Sequence, residues 1–66
     1  MQIFLNGAPH TLPGAQTIAE LIETLGYAGK RVAVERNGDI VPKGSHAATP
    51  LAEGDRIEIV VAVGGG

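Results

Sequence analysis

Few side chains in this 66-residue sequence are equipped for chemistry, and no spacing brings them together. His10 and His46 are the two histidines. Ser45 precedes His46, but a nucleophile and its base must converge in space, and adjacency along the chain does not achieve that. Both histidines are expected as exposed loop residues. Glu53, Asp55 and Glu58 have the chemistry of metal ligands. Asp55 reads more simply as a turn residue after Gly54, and Glu58 as the solvent side of a strand, so no metal site is expected. Cysteine is absent, which removes disulfides, thiolate metal sites and thiol nucleophiles. No catalytic residue is expected, and the chain reads as a non-enzyme.

What remains is Gly64-Gly65-Gly66. It is no phosphate loop, because no helix follows to supply a dipole. Three glycines after a β-branched strand add no core contact and carry the largest conformational entropy. Their use would be reach and slimness: three extended residues span about 10 Å. That would carry the Gly66 carboxylate off the globule into another protein's active site, with Gly64 and Gly65 presenting it. The alternative is a tail without a role.

Composition narrows the partners. Seven acidic and five basic residues leave a net charge of −2, and no Lys/Arg run exists to neutralise phosphates, so nucleic acid is not an expected partner. The apolar stretch Ile59 to Val63 is too short to span a bilayer. The N-terminus lacks a basic region followed by an apolar one. A cytoplasmic protein is expected, with one domain over residues 1–63 and a flexible glycine tail over 64–66.

Positioning such a tail requires a platform, and its elements are legible. Gln2 to Asn6 alternates as a half-buried strand. Asn6-Gly7 is a hairpin turn signal, because both residues tolerate positive φ. The return strand, about Ala8 to Leu12, contains Pro9 and should lie at an edge. Thr17-Ile18-Ala19-Glu20 reads as a capping box. Ile18, Leu21, Ile22 and Leu25 form one apolar helical stripe, and Gly26 stops it. Asn37-Gly38 joins Val32–Arg36 to Asp39–Val41 as a second hairpin. Residues 42–50 read as irregular. The last strand runs from Arg56 to Val63, with Ile57, Ile59, Val61 and Val63 on one side. Ile3, Leu5, Leu12, Val32, Val34, Ile40 and Leu51 complete the expected core.

One amphipathic helix needs one sheet face to cover. The first and last strands can lie side by side in the centre, with the helix crossing over. This predicts an α+β fold of the β-grasp (ubiquitin-like) type: a mixed sheet of four to five strands with one helix on one face. Phe4 has the opposite parity to Ile3 and Leu5, as Val60 and Ala62 have to Ile59 and Val61. Phe4, Val60 and Ala62 are therefore expected together on the sheet face away from the helix, as an apolar docking patch.

The chain resembles the sulfur carrier proteins of thiamine biosynthesis, the ThiS family. The resemblance rests on Val34-Glu35-Arg36-Asn37-Gly38-Asp39-Ile40-Val41-Pro42, on Gly54-Asp55-Arg56-Ile57-Glu58-Ile59 and on Gly65-Gly66, and it covers essentially all residues. It implies that an E1-like adenylating enzyme, using Mg-ATP, converts the Gly66 carboxylate to an acyl adenylate. Sulfur from a cysteine desulfurase then replaces AMP to leave a thiocarboxylate, and thiazole synthase takes that sulfur. No cofactor is bound by the carrier itself. Three glycines stand where the family needs two. His46 occupies a place where relatives often carry a larger aromatic residue, so no contact of that residue is carried over. Other readings of the same Gly-Gly end are a molybdopterin-synthase small subunit, a ubiquitin-like protein modifier, or a stand-alone β-grasp module.

Overall fold

The two Asn-Gly pairs do what their chemistry allows. In the computed structural model, which describes residues 1–62, Asn6 and Asn37 have φ of 50° and 52°, and Gly7 and Gly38 follow at 83° and 90°. Two successive residues at positive φ give the hairpin turn whose twist matches that of the flanking strands. The first turn joins β1 (Gln2–Leu5) to β2 (Ala8–Thr11), the second β3 (Val32–Arg36) to β4 (Asp39–Val41).

Between the hairpins lies helix α1, Ile18–Thr24. Thr17 caps it: its hydroxyl accepts from the Glu20 N–H while the Glu20 carboxylate accepts from the Thr17 N–H, the reciprocal pairing of a capping box. Gly26, at φ 80°, terminates it as expected. Ile18, Leu21 and Ile22 are buried and Leu25 is half-buried, so the apolar stripe faces the sheet.

The five strands form one sheet in the order β2-β1-β5-β3-β4, with β5 spanning Arg56–Val61. β1 and β5 run parallel, and every other pairing is antiparallel. The β-grasp arrangement is observed, with β5 in the middle and the Pro9 strand at an edge. Proline is tolerated there because an edge strand has one side free of ladder donors. The core is Ile3, Leu12, Ile18, Leu21, Ile22, Val34, Leu51, Ile57 and Ile59.

Three expectations are corrected. Residues 42–50 are not wholly irregular: a 3₁₀ helix covers Lys43–Ala48, and Pro50 bridges to Thr17. Ile40 is not in the core but 77% exposed. It pairs with Glu35, whose neighbour Val34 points inward, so Ile40 must share the outer face with Glu35. β5 ends at Val61, and Val63, expected to continue it, lies outside the described residues.

Candidate functional site

β5 leads towards the glycines, and the structure holds it on both sides. Its ladder with β1 covers Phe4–Arg56 and Leu5–Ile57. Beyond that point the Asn6 side chain takes over. Its Oδ1 accepts from the Ile59 N–H at 2.9 Å and its Nδ2 donates to the Ile59 carbonyl at 3.3 Å. From the other hairpin, Asn37 Oδ1 accepts from the Arg56 N–H at 2.9 Å. Both turn asparagines therefore fasten the same strand. Sequence reasoning assigned them to the turns by their backbone tolerance and missed what their amides hold.

Asp55, just before β5, is the second group it missed. It is buried, and its Oδ2 accepts from Arg36 Nε at 2.9 Å and from the Ala52 N–H at 2.8 Å. Its Oδ1 accepts from Asn37 Nδ2 at 3.1 Å. Burial works against ionisation of this carboxyl. The bonds from Arg36, Ala52 and Asn37, with the guanidinium's charge, outweigh that and hold its pKa below the ordinary value. Gly54-Asp55 is a turn as expected, but the aspartate also locks the start of β5 to the second hairpin. Its role is structural.

His46 corrects another expectation. It lies buried within the 3₁₀ helix, and its Nε2 lies 3.0 Å from the Val41 carbonyl. A carbonyl can only accept, so the ring nitrogen donates. His10 is half-buried on β2 at one edge of the sheet rather than in a loop, whereas His46 bonds to Val41 of β4 at the other edge, and the two do not meet. Among the described residues no group of three His, Asp or Glu side chains could hold a metal ion. No helix among them is long and apolar enough to cross a membrane.

Phe4 and Val60 do share the sheet face away from the helix, and are 40% and 65% exposed. They do not sit together. Phe4 is level with Arg56, and Val60 is four residues further along β5, about 13 Å at strand rise. Glu58 stands between them. Phe4 borders one shallow hollow with Arg56 and Gly38, and Val60 another with Ala33, Glu35 and Ile40. Ala62 belongs to neither: it lines a third hollow with Ile22 and His46. Alternation fixes which face a residue takes, whereas the stagger between β1 and β5 decides who its neighbours are, and only pairing reveals that stagger. Gly64, Gly65 and Gly66 lie outside the described residues.

One α-helix crossing a five-stranded mixed sheet among the described residues, with a clasped central strand, defines a ubiquitin-like β-grasp protein. Residues 3–66 match the ThiS family, and the chain belongs to it. It is similar to a ThiS thiamine biosynthesis protein from Geobacter metallireducens of known crystal structure, at TM-score 0.84 and 33% identity over the whole of both chains. It is also 46% identical to a thiazole synthase of Magnetococcus marinus and 41% identical to one of Paramagnetospirillum magneticum. All of this chain matches in both, and it spans about a fifth of the length of these relatives (20% of each).

Proposed function

We propose that the chain is a sulfur carrier in thiamine biosynthesis that brings sulfur to thiazole formation as a thiocarboxylate at Gly66. The observation that carries this reading is the ThiS family match, which runs through Gly66 rather than stopping at the folded strands. Without a cysteine, this chain would carry sulfur on an acyl carbon. A carboxylate is a poor electrophile, so an adenylating partner would use Mg-ATP to join it to AMP, releasing pyrophosphate. A reduced sulfur nucleophile then attacks the acyl carbon: the C–S bond forms, the C–O bond to AMP breaks, and AMP leaves with the electron pair. The partners hold the catalytic groups and the carrier presents the end.

Thiazole synthase is the receiving partner in this reading. The two relatives that carry that name each contain a region similar to this whole chain, which supports the pairing: a carrier-like segment joined to a thiazole synthase fits a direct handover of sulfur. Phe4 on one side of Glu58, and Val60 with Ile40 on the other, provide the apolar contacts on the outer sheet face. The carrier works in the cytoplasm, where a desulfurase supplies sulfur from cysteine. The test is reconstitution with cysteine labelled on sulfur, desulfurase, adenylating enzyme, Mg-ATP and a dithiol, which reduces the desulfurase's persulfide sulfur to the sulfide level of a thiocarboxylate. Label should accumulate on this chain and pass to the thiazole when thiazole synthase is added. Label that reaches the thiazole equally well without this chain would contradict the reading.

A further inference from the structure

The basic residues of this acidic chain are not scattered. Arg36 is held by Asp55 in the ion pair found among the described residues. Three of the other four, Lys30, Arg31 and Lys43, line one hollow of ≈ 500 Å³ between α1, the 3₁₀ helix and the start of β3. No aspartate or glutamate lines it. Like charges gathered this way repel one another, and the positive potential they focus is of use only towards an anionic partner. Ala19, Ile22, Ala47 and Ala62 give it an apolar lining.

From this we infer that the hollow is a second docking site, one that takes an acidic segment with an aliphatic side chain from the protein that receives the tail. Its carboxylates meet the lysines and the arginine, and its aliphatic side chain rests against the alanines and Ile22. A nucleotide fits less well, because neither Phe4 nor Tyr27 lines the hollow to stack a base, and no glycine loop lines it to cradle phosphates. The link to the receiving enzyme is Ala62. It lines the hollow, and its N–H donates to the Arg31 carbonyl at 2.9 Å, so residue 63 follows directly on a residue of the hollow. A partner that grips the hollow thereby aims those residues. This inference rests on the carrier reading above.

The experiment titrates the full chain with thiazole synthase and, separately, with the adenylating enzyme, at low and high salt. Wild type is compared with the combined variant Lys30→Gln, Arg31→Gln, Lys43→Gln, and each protein's melting curve is recorded. We expect thiazole synthase to bind the variant more than tenfold more weakly at low salt, and its affinity for wild type to fall with salt far more than for the variant; a loss confined to the adenylating enzyme overturns the inference. Equal binding by a folded variant, or a wild-type affinity indifferent to salt, overturns the inference while leaving the carrier reading intact. Should the triple variant unfold, Ala47→Asp alone, which places a negative charge in the lining, must weaken binding to thiazole synthase. If it does not, the inference fails. Inorganic phosphate or AMP raising the melting temperature of wild type but not of the triple variant would assign the hollow to small anions and overturn it too. A wild type that binds neither enzyme would sink the carrier reading and this inference with it.

Discussion

Asn6 grips Ile59 with both ends of its side-chain amide, donating to the carbonyl and accepting from the N–H, and so continues with a side chain the ladder that β1 no longer reaches. Asn6→Gly tests this cleanly. Glycine accepts the positive φ of the turn at no steric cost, so the loss beyond glycine's own entropic cost reports the two hydrogen bonds. At about 0.5–1.5 kcal/mol each, the variant should lose about 1–3 kcal/mol in urea unfolding. Unchanged stability would show that the amide does not hold β5.

Asp55 carries the pH dependence. Its pKa is lowered in the folded protein, so folding favours the ionised form and acid works against folding. The contribution is complete above the ordinary aspartate value, about 3.9, and is lost as pH falls through the lower folded value. Asp55→Asn should unfold more easily than wild type at neutral pH, by about 1–3 kcal/mol for a buried acceptor removed from its donors. The two should converge in strong acid. Parallel stability curves that keep their separation down to low pH would contradict this.

These two residues also mark where the sequence stops being legible. The helix could be read because its signals are local: Thr17 and Glu20 three apart, Ile18 to Leu25 on one stripe. The hairpins could be read because Asn-Gly dictates its own backbone. The asparagine amides, the Asp55 network and the burial of His46 depend on contacts across 53, 19 and 5 residues. No periodicity encodes such contacts. Ile40 misled for a similar reason: an isolated isoleucine in a three-residue strand has too little alternation around it to reveal its face. The ubiquitin-like order followed from one helix and four or five strands, whereas the separation of Phe4 from Val60 needed the β1–β5 register.

That separation makes its own prediction. Phe4→Asp and Val60→Asp should each weaken binding to the adenylating enzyme or thiazole synthase more than tenfold while the fold survives, because exposed positions accept a charge at small cost. Lying about 13 Å apart along the strand, they should act independently: the double variant's loss equals the sum to within about 0.5 kcal/mol. Ile3→Asp, at a fully buried position, should unfold. Normal binding by both folded variants would remove the outer face from the account.

Removing Gly65 and Gly66 should leave the melting temperature nearly unchanged, because the core lies between Ile3 and Ile59. Adenylation should disappear with them. A markedly earlier melt would assign those glycines a structural role that the account denies.

The central claim is chemical, and intact mass reads it directly. The protein, its adenylating enzyme, Mg-ATP and a sulfur source are incubated together, and the mass is recorded with fragmentation to locate any change. The account predicts a gain equal to the exchange of one oxygen for one sulfur, confined to Gly66. With an adenylating enzyme of demonstrated activity, an unchanged mass, or sulfur located on any other residue, would contradict it.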